Sequence, residues 1–135
     1  MANDATSNDT TPAVAGSPRL LLRLEGAALL VIAVVLYART DTSWWLFAVL
    51  MLAPDLSFLG YLAGPRIGAV AYNAVHMTIG PLTLALVGMY APSPLAVAIA
   101  LVWLAHIGAD RALGYGLKYG AGFGFTHLGR IGRTA

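Results

Sequence analysis

Two histidines and two aspartates lie inside long apolar segments, where ionisable side chains are rare. They are Asp55, His76, His106 and Asp110. Ionisable groups within membrane-spanning segments are costly, and they usually face the protein interior or a cavity. Imidazole nitrogens and carboxylate oxygens together form a donor set that suits zinc, iron or manganese. The four side chains therefore predict a site for a divalent transition metal.

Helical spacing adds further polar side chains to this predicted site. His106 and Asp110 are four residues apart, and Tyr72 and Asn73 precede His76 by four and three residues. Residues three or four apart share one face of a helix. We therefore assign Tyr72 and Asn73 to the substrate-binding part of the site.

Charged residues near the same level suggest a hydrolytic centre. Glu25 is expected to act as a general base or additional ligand, and Arg111 joins it as a catalytic residue. Arg66 and Lys118, together with Arg111, would bind an anionic substrate such as a lipid head group. A metal lowers the pKa of bound water towards neutrality, which permits hydrolysis without a serine or cysteine nucleophile. These residues favour a membrane-embedded, metal-dependent enzyme.

Other interpretations of the same residues stay open. The two histidines could hydrogen-bond across helices without a ligand. They could also ligate a haem, although the neighbouring carboxylates disfavour an apolar haem pocket. In a second function, the carboxylates and imidazoles would relay protons or coordinate a cation in a small-molecule, ion or proton binding or transport protein, for which four helices would require a homo-oligomer. Alternatively, it would be a non-catalytic membrane module whose polar cluster fixes helix packing.

The composition indicates which elements must hold these residues. Of 135 residues, 59% are hydrophobic and 10% are charged, whereas soluble domains carry about a quarter charged residues. Four apolar segments each approach the roughly 20 residues that cross about 30 Å of hydrocarbon. They run from about Leu20 to Ala38, from Trp44 to about Ala63, from about Ile67 to Ala91, and from about Leu95 to Leu113. Short connections between them predict an all-α, integral membrane, up-down four-helix bundle.

Two tails flank this predicted four-span membrane domain of residues 19–113. Residues 1–18 are small and polar and lack the basic start and apolar centre of a signal peptide, so we predict a disordered tail. Residues 114–135 are glycine-rich, basic and aromatic. They would form either an interfacial segment on anionic head groups or a flap that folds over a cytoplasmic pocket.

The distribution of lysine and arginine predicts the orientation. Arg39 lies alone on one side of the predicted bundle, while the other side carries Arg19, Arg23, Arg66, Arg111, Lys118, Arg130 and Arg133. Positive residues favour the cytoplasmic side, so both termini are expected in the cytoplasm. The net charge of +2 gives no reason to expect nucleic acid, and membrane lipids are the expected partners. The absence of cysteine excludes disulfides and thiolate ligands.

Several motifs resemble one protein family. They are LEG at Leu24–Gly26, APDLS at Ala53–Ser57, YN..H at Tyr72–His76, AHIG.DR at Ala105–Arg111 and THLGRIG at Thr126–Gly132. These motifs are similar to those of small bacterial membrane proteins catalogued as domain of unknown function 4260, over about Arg19 to Arg133. The resemblance implies a bacterial inner membrane location and no particular activity. It also places His127 in a family motif, and we assign this residue to substrate binding.

The chain departs from the family pattern at two places. Phe125 stands before Thr126, where the family more often has an acidic residue, and Met77-Thr78 replaces the more usual Thr-Tyr pair. If an acidic residue of the tail serves a site in the family, that role is missing here.

Overall fold

The computed structural model describes residues 11–132. In this part of the chain the elements are α1 (Gly16–Ala38), α2 (Trp44–Leu50), a 3₁₀ segment (Ala53–Ala63), α3 (Pro65–His76), α4 (Ile79–Tyr90), α5 (Pro94–Leu113), β1 (Phe125–Thr126) and β2 (Gly129–Arg130). The two short strands form an antiparallel hairpin. Residues 1–10 of the predicted N-terminal tail lie outside the described range, and residues 16–18 form the first turn of α1 rather than part of the tail.

Four helical stretches are long and apolar enough to cross a membrane. They are Gly16–Ala38, Trp44–Ala63, Pro65–Tyr90 and Pro94–Leu113. The predicted all-α, four-span membrane bundle is therefore confirmed. The first and fourth spans are the single helices α1 and α5, whereas the second and third are each built from two elements.

The second and third spans change their backbone conformation partway along, which the hydropathy pattern did not predict. Span two leaves the α-helix after Leu50, four residues before Pro54. Span three is interrupted at Met77, four residues before Pro81, and Met77 adopts an extended conformation with φ −85° and ψ 150°. A proline ring clashes with the carbonyl four residues earlier and donates no backbone hydrogen bond. The two prolines therefore account for both interruptions.

Helix α5 is the central element of the bundle and packs along α1 and α4, while α3 packs against the 3₁₀ segment. Close contact between α1 and α5 requires glycine. A Cβ atom on Gly108 would lie 2.6 Å from the Leu30 amide nitrogen and 2.7 Å from the Gly26 carbonyl oxygen. Small residues permit this kind of approach between helices in membranes, where packing rather than the hydrophobic effect holds helices together.

The segment after α5 folds back across the end of the bundle. The amide of Val14 donates to the carbonyl of His127 at 2.8 Å, and Arg19 donates to the carbonyl of Leu128. Leu128 is fully buried. We call residues 114–132 the flap, because they fold onto the end of the bundle and are anchored on α1.

Candidate metal centre

Three elements bring the four predicted metal ligands together. Asp55 lies in the first turn of the 3₁₀ segment, His76 is the last residue of α3, and His106 and Asp110 share one face of α5. One ligand atom from each residue lies within 4.8 Å of those of the others. The histidines are 1% and 5% exposed, whereas the two carboxylates are partly exposed. This group could hold a metal ion.

The ligand atoms form a compact set around the two imidazoles. The Nε2 atoms of His76 and His106 are 3.2 Å apart. Nε2 of His76 lies 3.6 Å from Oδ1 of Asp55 and 3.4 Å from Oδ2 of Asp110. Nε2 of His106 lies 3.3 Å and 3.2 Å from the same two oxygens. Each imidazole therefore faces the other imidazole and both carboxylates.

Backbone carbonyls fix the tautomer of both imidazoles. Nδ1 of His76 donates to the carbonyl of Tyr72 at 2.8 Å, and Nδ1 of His106 donates to the carbonyl of Met51 at 2.6 Å. A carbonyl oxygen can only accept, so each Nδ1 carries a proton and a neutral ring presents a lone pair on Nε2. Metal-binding histidines are commonly oriented by this same hydrogen bond.

The interruption of span two supplies one of these carbonyls. In an α-helix the Met51 carbonyl would accept from the Asp55 amide, but that amide donates to Leu52 at 3.2 Å. The Met51 carbonyl is thereby free to accept from His106. The change to 3₁₀ geometry thus brings Asp55 and the acceptor for His106 to the same place.

The interruption of span three exposes two more carbonyls, and α5 supplies donors for both. Trp103 Nε1 donates to the carbonyl of Val75 at 2.6 Å, and Arg111 Nη2 donates to the carbonyl of His76 at 3.2 Å. The end of α3, with His76 as its last residue, is therefore capped by side chains from α5, the helix that carries His106 and Asp110.

A pocket of about 260 Å³ adjoins the ligands. Its walls include Asp55, Asp110, Phe58, Tyr72, Lys118 and Phe123. The Tyr72 ring stacks on the His76 imidazole, with 3.7 Å between the ring centroids. The pocket therefore combines the two carboxylates with an aromatic wall and one ammonium group.

Lys118 is held in this pocket by its own backbone and by aromatic rings. Asn73 donates to its carbonyl at 2.7 Å and accepts from its amide at 2.6 Å. Its Nζ atom lies 3.7 Å from the ring centroid of Phe123 and 4.7 Å from that of Tyr72, and it donates to the Phe123 carbonyl at 2.8 Å. Lys118 is 4% exposed, and within residues 11–132 its ammonium forms no ion pair with a carboxylate. Asn73, assigned above to substrate binding, thus positions Lys118.

Two other predicted site residues, Glu25 and His127, lie away from this pocket. Glu25 is exposed and lines a separate pocket of about 170 Å³ with Arg111, Thr78 and His127. Nδ1 of His127 accepts from the Leu117 amide at 2.9 Å. Burial, reinforced by the Arg111 cation, lowers the pKa of His127. The structure does not bring Glu25 or His127 into the group of metal ligands.

Arg66 and Arg111 also have surroundings that differ from the expected anion-binding role. Arg66 is exposed and lines a surface pocket beside Gly120. The Arg111 guanidinium donates to the carbonyls of His76 and Tyr115. Lys118 is therefore the one predicted anion-binding residue that lines the pocket beside the ligands.

Sequence reasoning missed the aromatic walls and the groups that cap the helix ends. Phe58, Phe123 and Trp103 look like ordinary apolar residues in a chain that is 59% hydrophobic. The visible signals were Pro54 and Pro81, since a proline inside an apolar span predicts freed carbonyls that need other donors.

Comparison with known proteins gives one match. The family model described as a domain of unknown function, DUF4260, matches residues 19–131. The matched range includes the four spans, the flap and all four candidate ligands, which confirms the resemblance of the motifs. No curated protein and no solved structure matches the chain.

Lys118 offers a direct test of the pocket, because it is the single lysine of the sequence. Burial lowers its pKa to about 8, whereas a solvated lysine titrates at about 10.4. Site-resolved acylation of the native protein, followed by mass spectrometry across a pH series, should show half-maximal reactivity near pH 8. Protein unfolded in denaturant should show it near 10.4.

The lowered pKa of Lys118 also makes the free energy of unfolding depend on pH. Between these two pKa values the unfolded state binds more protons, so stability should rise as the pH increases through that window. A native titration midpoint near 10.4 would show that Lys118 is solvated and that the pocket does not form.

Proposed function

Since this chain belongs to DUF4260, a family whose description assigns no activity, we propose its function from the geometry of the polar cluster. The protein is a membrane-embedded, metal-dependent enzyme that acts on an anionic or lipid-like substrate. Asp55, His76, His106 and Asp110 hold one divalent transition-metal ion, and Lys118 binds the negative charge of the substrate.

The spacing of the ligand atoms is the observation that carries this proposal. In a tetrahedral site with bonds of about 2.0–2.1 Å, neighbouring ligand atoms lie roughly 3.3–3.4 Å apart. The five distances that join the two Nε2 atoms to each other and to the carboxylates lie between 3.2 and 3.6 Å. Five of the six ligand–ligand distances thus come close to the edges of a tetrahedral site, and the sixth, between the two carboxylates, is within 4.8 Å.

The electrostatics of the cluster support the same conclusion. The Nε2 lone pairs of the two buried histidines and the two carboxylates face one another within an apolar bundle. Charges in a low-dielectric interior need compensation by an opposite charge. A divalent cation neutralises both carboxylates and accepts both Nε2 lone pairs. A single proton shared between the imidazoles would satisfy the two Nε2 atoms and leave one of the two negative charges uncompensated.

Zinc is the metal that this donor set and geometry favour. Zinc takes histidine nitrogens and carboxylate oxygens in four-coordinate tetrahedral sites. Iron and manganese accept the same donors, but manganese favours octahedral sites. Elemental analysis separates the three metals.

The pocket supports a catalytic role over a purely structural one. A metal held by these four residues would supply Lewis acidity, and expansion to five-coordination would admit a water with a lowered pKa. The Asp55 side chain is 43% exposed, and Asp55 and Asp110 both line the pocket beside Lys118. Asp55 is the more exposed of the two carboxylates, so we assign its second oxygen to accept a proton there, and the ammonium of Lys118 would orient an anionic group. Glu25 has no part in this scheme because it lines a different pocket.

We also infer that the end of the bundle bearing this pocket faces the cytoplasm. Around it lie Arg19, Arg23, Arg66, Arg111, Lys118 and Arg130, while Arg39 lies at the opposite end. The excess of positive residues supports this orientation in the inner membrane of a bacterial cell.

The metal proposal predicts stoichiometric binding that depends on the two buried histidines. Detergent-purified protein should contain about one metal ion per chain, and His76→Ala combined with His106→Ala should remove it, because two of four ligands are lost. Inductively coupled plasma mass spectrometry measures the content. His127→Ala is the matched control, since this third histidine lies outside the cluster, and it should retain the metal.

Asp110→Asn provides a second variant that preserves side-chain volume if the double variant fails to fold. Wild-type protein that lacks metal after growth with zinc, iron and manganese would contradict the proposal, as would a double variant that retains it. Metal- or proton-driven flux through liposomes without turnover of any lipid would instead favour the binding or transport function.

The orientation can be tested because the sequence contains no cysteine. In intact cells a membrane-impermeant maleimide should label Thr42→Cys, which lies at the Arg39 end. It should label Ala121→Cys, an exposed position in the flap, only after the cells are permeabilised. The reverse pattern would place the pocket outside the cytoplasm.

A further inference from the structure

An apolar groove lies beside the metal ligands, within the membrane-spanning part of the bundle. It has a volume of about 250 Å³ and is lined by Leu50, Ala53, Pro54, Val75, Ile99 and Trp103. These residues come from the second, third and fourth spans. No charged side chain lines it. A groove of this composition at this depth faces hydrocarbon rather than water.

The walls of the groove are fixed by the interrupted helices. Trp103 is tied to the Val75 carbonyl by its 2.6 Å hydrogen bond. Its ring packs so closely on Gly80 that a Cβ atom there would lie 2.6 Å from the ring. Pro54 is buried at the point where span two has left the α-helix. The groove is therefore part of the fold and does not depend on a mobile side chain.

The metal ligands adjoin both this groove and the pocket of Lys118. Pro54 directly precedes Asp55, and Val75 directly precedes His76. Asp55 also lines the pocket that holds the buried ammonium. The candidate metal centre thus adjoins an apolar groove and a pocket that carries a cation without a carboxylate partner among the described residues.

We propose that the substrate is an anionic phospholipid of the surrounding bilayer, with its head group beside Lys118 and one acyl chain in the apolar groove. This inference rests on the proposed function and specifies the substrate class of that site. A lipid bound in this way places the ester linkages between head group and chain next to the ligands. A small water-soluble anion would leave the groove without a role.

The physics of the bilayer decides which part of the lipid gives selectivity. An acyl chain gains little by leaving lipid for the groove, because both surroundings are equally apolar. The head group gains an ion pair with Lys118. One lysine near an anionic surface contributes enough for roughly fivefold enrichment. The site should therefore prefer anionic over zwitterionic lipids with the same chains.

Trp103 provides a fluorescent reporter inside the groove. Trp44→Phe with Trp45→Phe leaves it as the sole tryptophan, since the sequence has three. This protein is reconstituted in vesicles that contain a small fraction of phospholipid with brominated acyl chains, which quench tryptophan on contact. Brominated anionic lipid should reach half-maximal quenching at roughly one fifth of the fraction that the brominated zwitterionic lipid requires.

Variants of the head-group pocket and of the groove separate the two contacts. Lys118→Gln should abolish the preference, and Lys118→Arg should restore it, while Arg130→Gln, an exposed charge at the same end, should preserve it. Ala53→Phe fills the groove and should weaken quenching by both lipids. The matched control is Ala48→Phe, an exposed position on the same span, which should leave quenching unchanged.

Equal quenching by anionic and zwitterionic lipids, or a preference that Lys118→Gln leaves intact, would overturn the inference. So would quenching that Ala53→Phe does not change. Metal content measured on the same samples separates this failure from that of the proposed function. Protein that binds metal without the lipid preference refutes the inference alone, whereas lipid preference in metal-free wild-type protein refutes the metalloenzyme and leaves the lipid site standing.

Discussion

The structure depends on one constraint: a backbone carbonyl released from a helix inside hydrocarbon must find another donor. Pro54 and Pro81 interrupt two spans and so release carbonyls at the same level of the bundle. Three of these carbonyls, those of Met51, Val75 and His76, accept hydrogen bonds from side chains of α5. Helix α5 thus becomes the common partner of both interrupted spans.

The same hydrogen bonds orient the side chains of the cluster. The donors from α5 are His106, Trp103 and Arg111. The bond from His106 commits its Nδ1 proton and directs its Nε2 lone pair towards His76. The bond from Trp103 fixes its ring as a wall of the apolar groove. The bond from Arg111 caps α3, the helix that ends in His76. The hydrogen bonds that satisfy the released carbonyls therefore also position the residues of the candidate metal centre.

The sequence predicted much of this fold, and the four residues of the polar cluster, for identifiable reasons. Hydropathy predicts four spans because lipid imposes a length and a composition on each, and depth along a helix places Asp55, His76, His106 and Asp110 at one level. The depth of a residue along its helix does not tell which way its side chain points around the helix axis. Glu25 lies at a similar predicted level but belongs to a different pocket, next to the close contact between α1 and α5 at Gly26.

The flap shows a second limit of sequence reasoning. Glycine-rich, aromatic and basic residues are equally typical of a segment on a lipid surface and of one folded onto the protein. The choice depends on particular partners, chiefly Asn73 with the backbone of Lys118 and Arg19 with Leu128. Such pairings between distant residues leave no periodic signal in a single sequence.

X-ray absorption spectroscopy of the purified, metal-containing protein tests the central claim most directly, because it reports the atoms bound to the metal. The account predicts a zinc edge and a first shell of about four nitrogen and oxygen atoms at about 2.0–2.1 Å. The outer-shell scattering should be that of two imidazoles. A first shell of oxygen alone, or the six longer bonds of a hydrated ion without imidazole scattering, would contradict a centre held by His76 and His106.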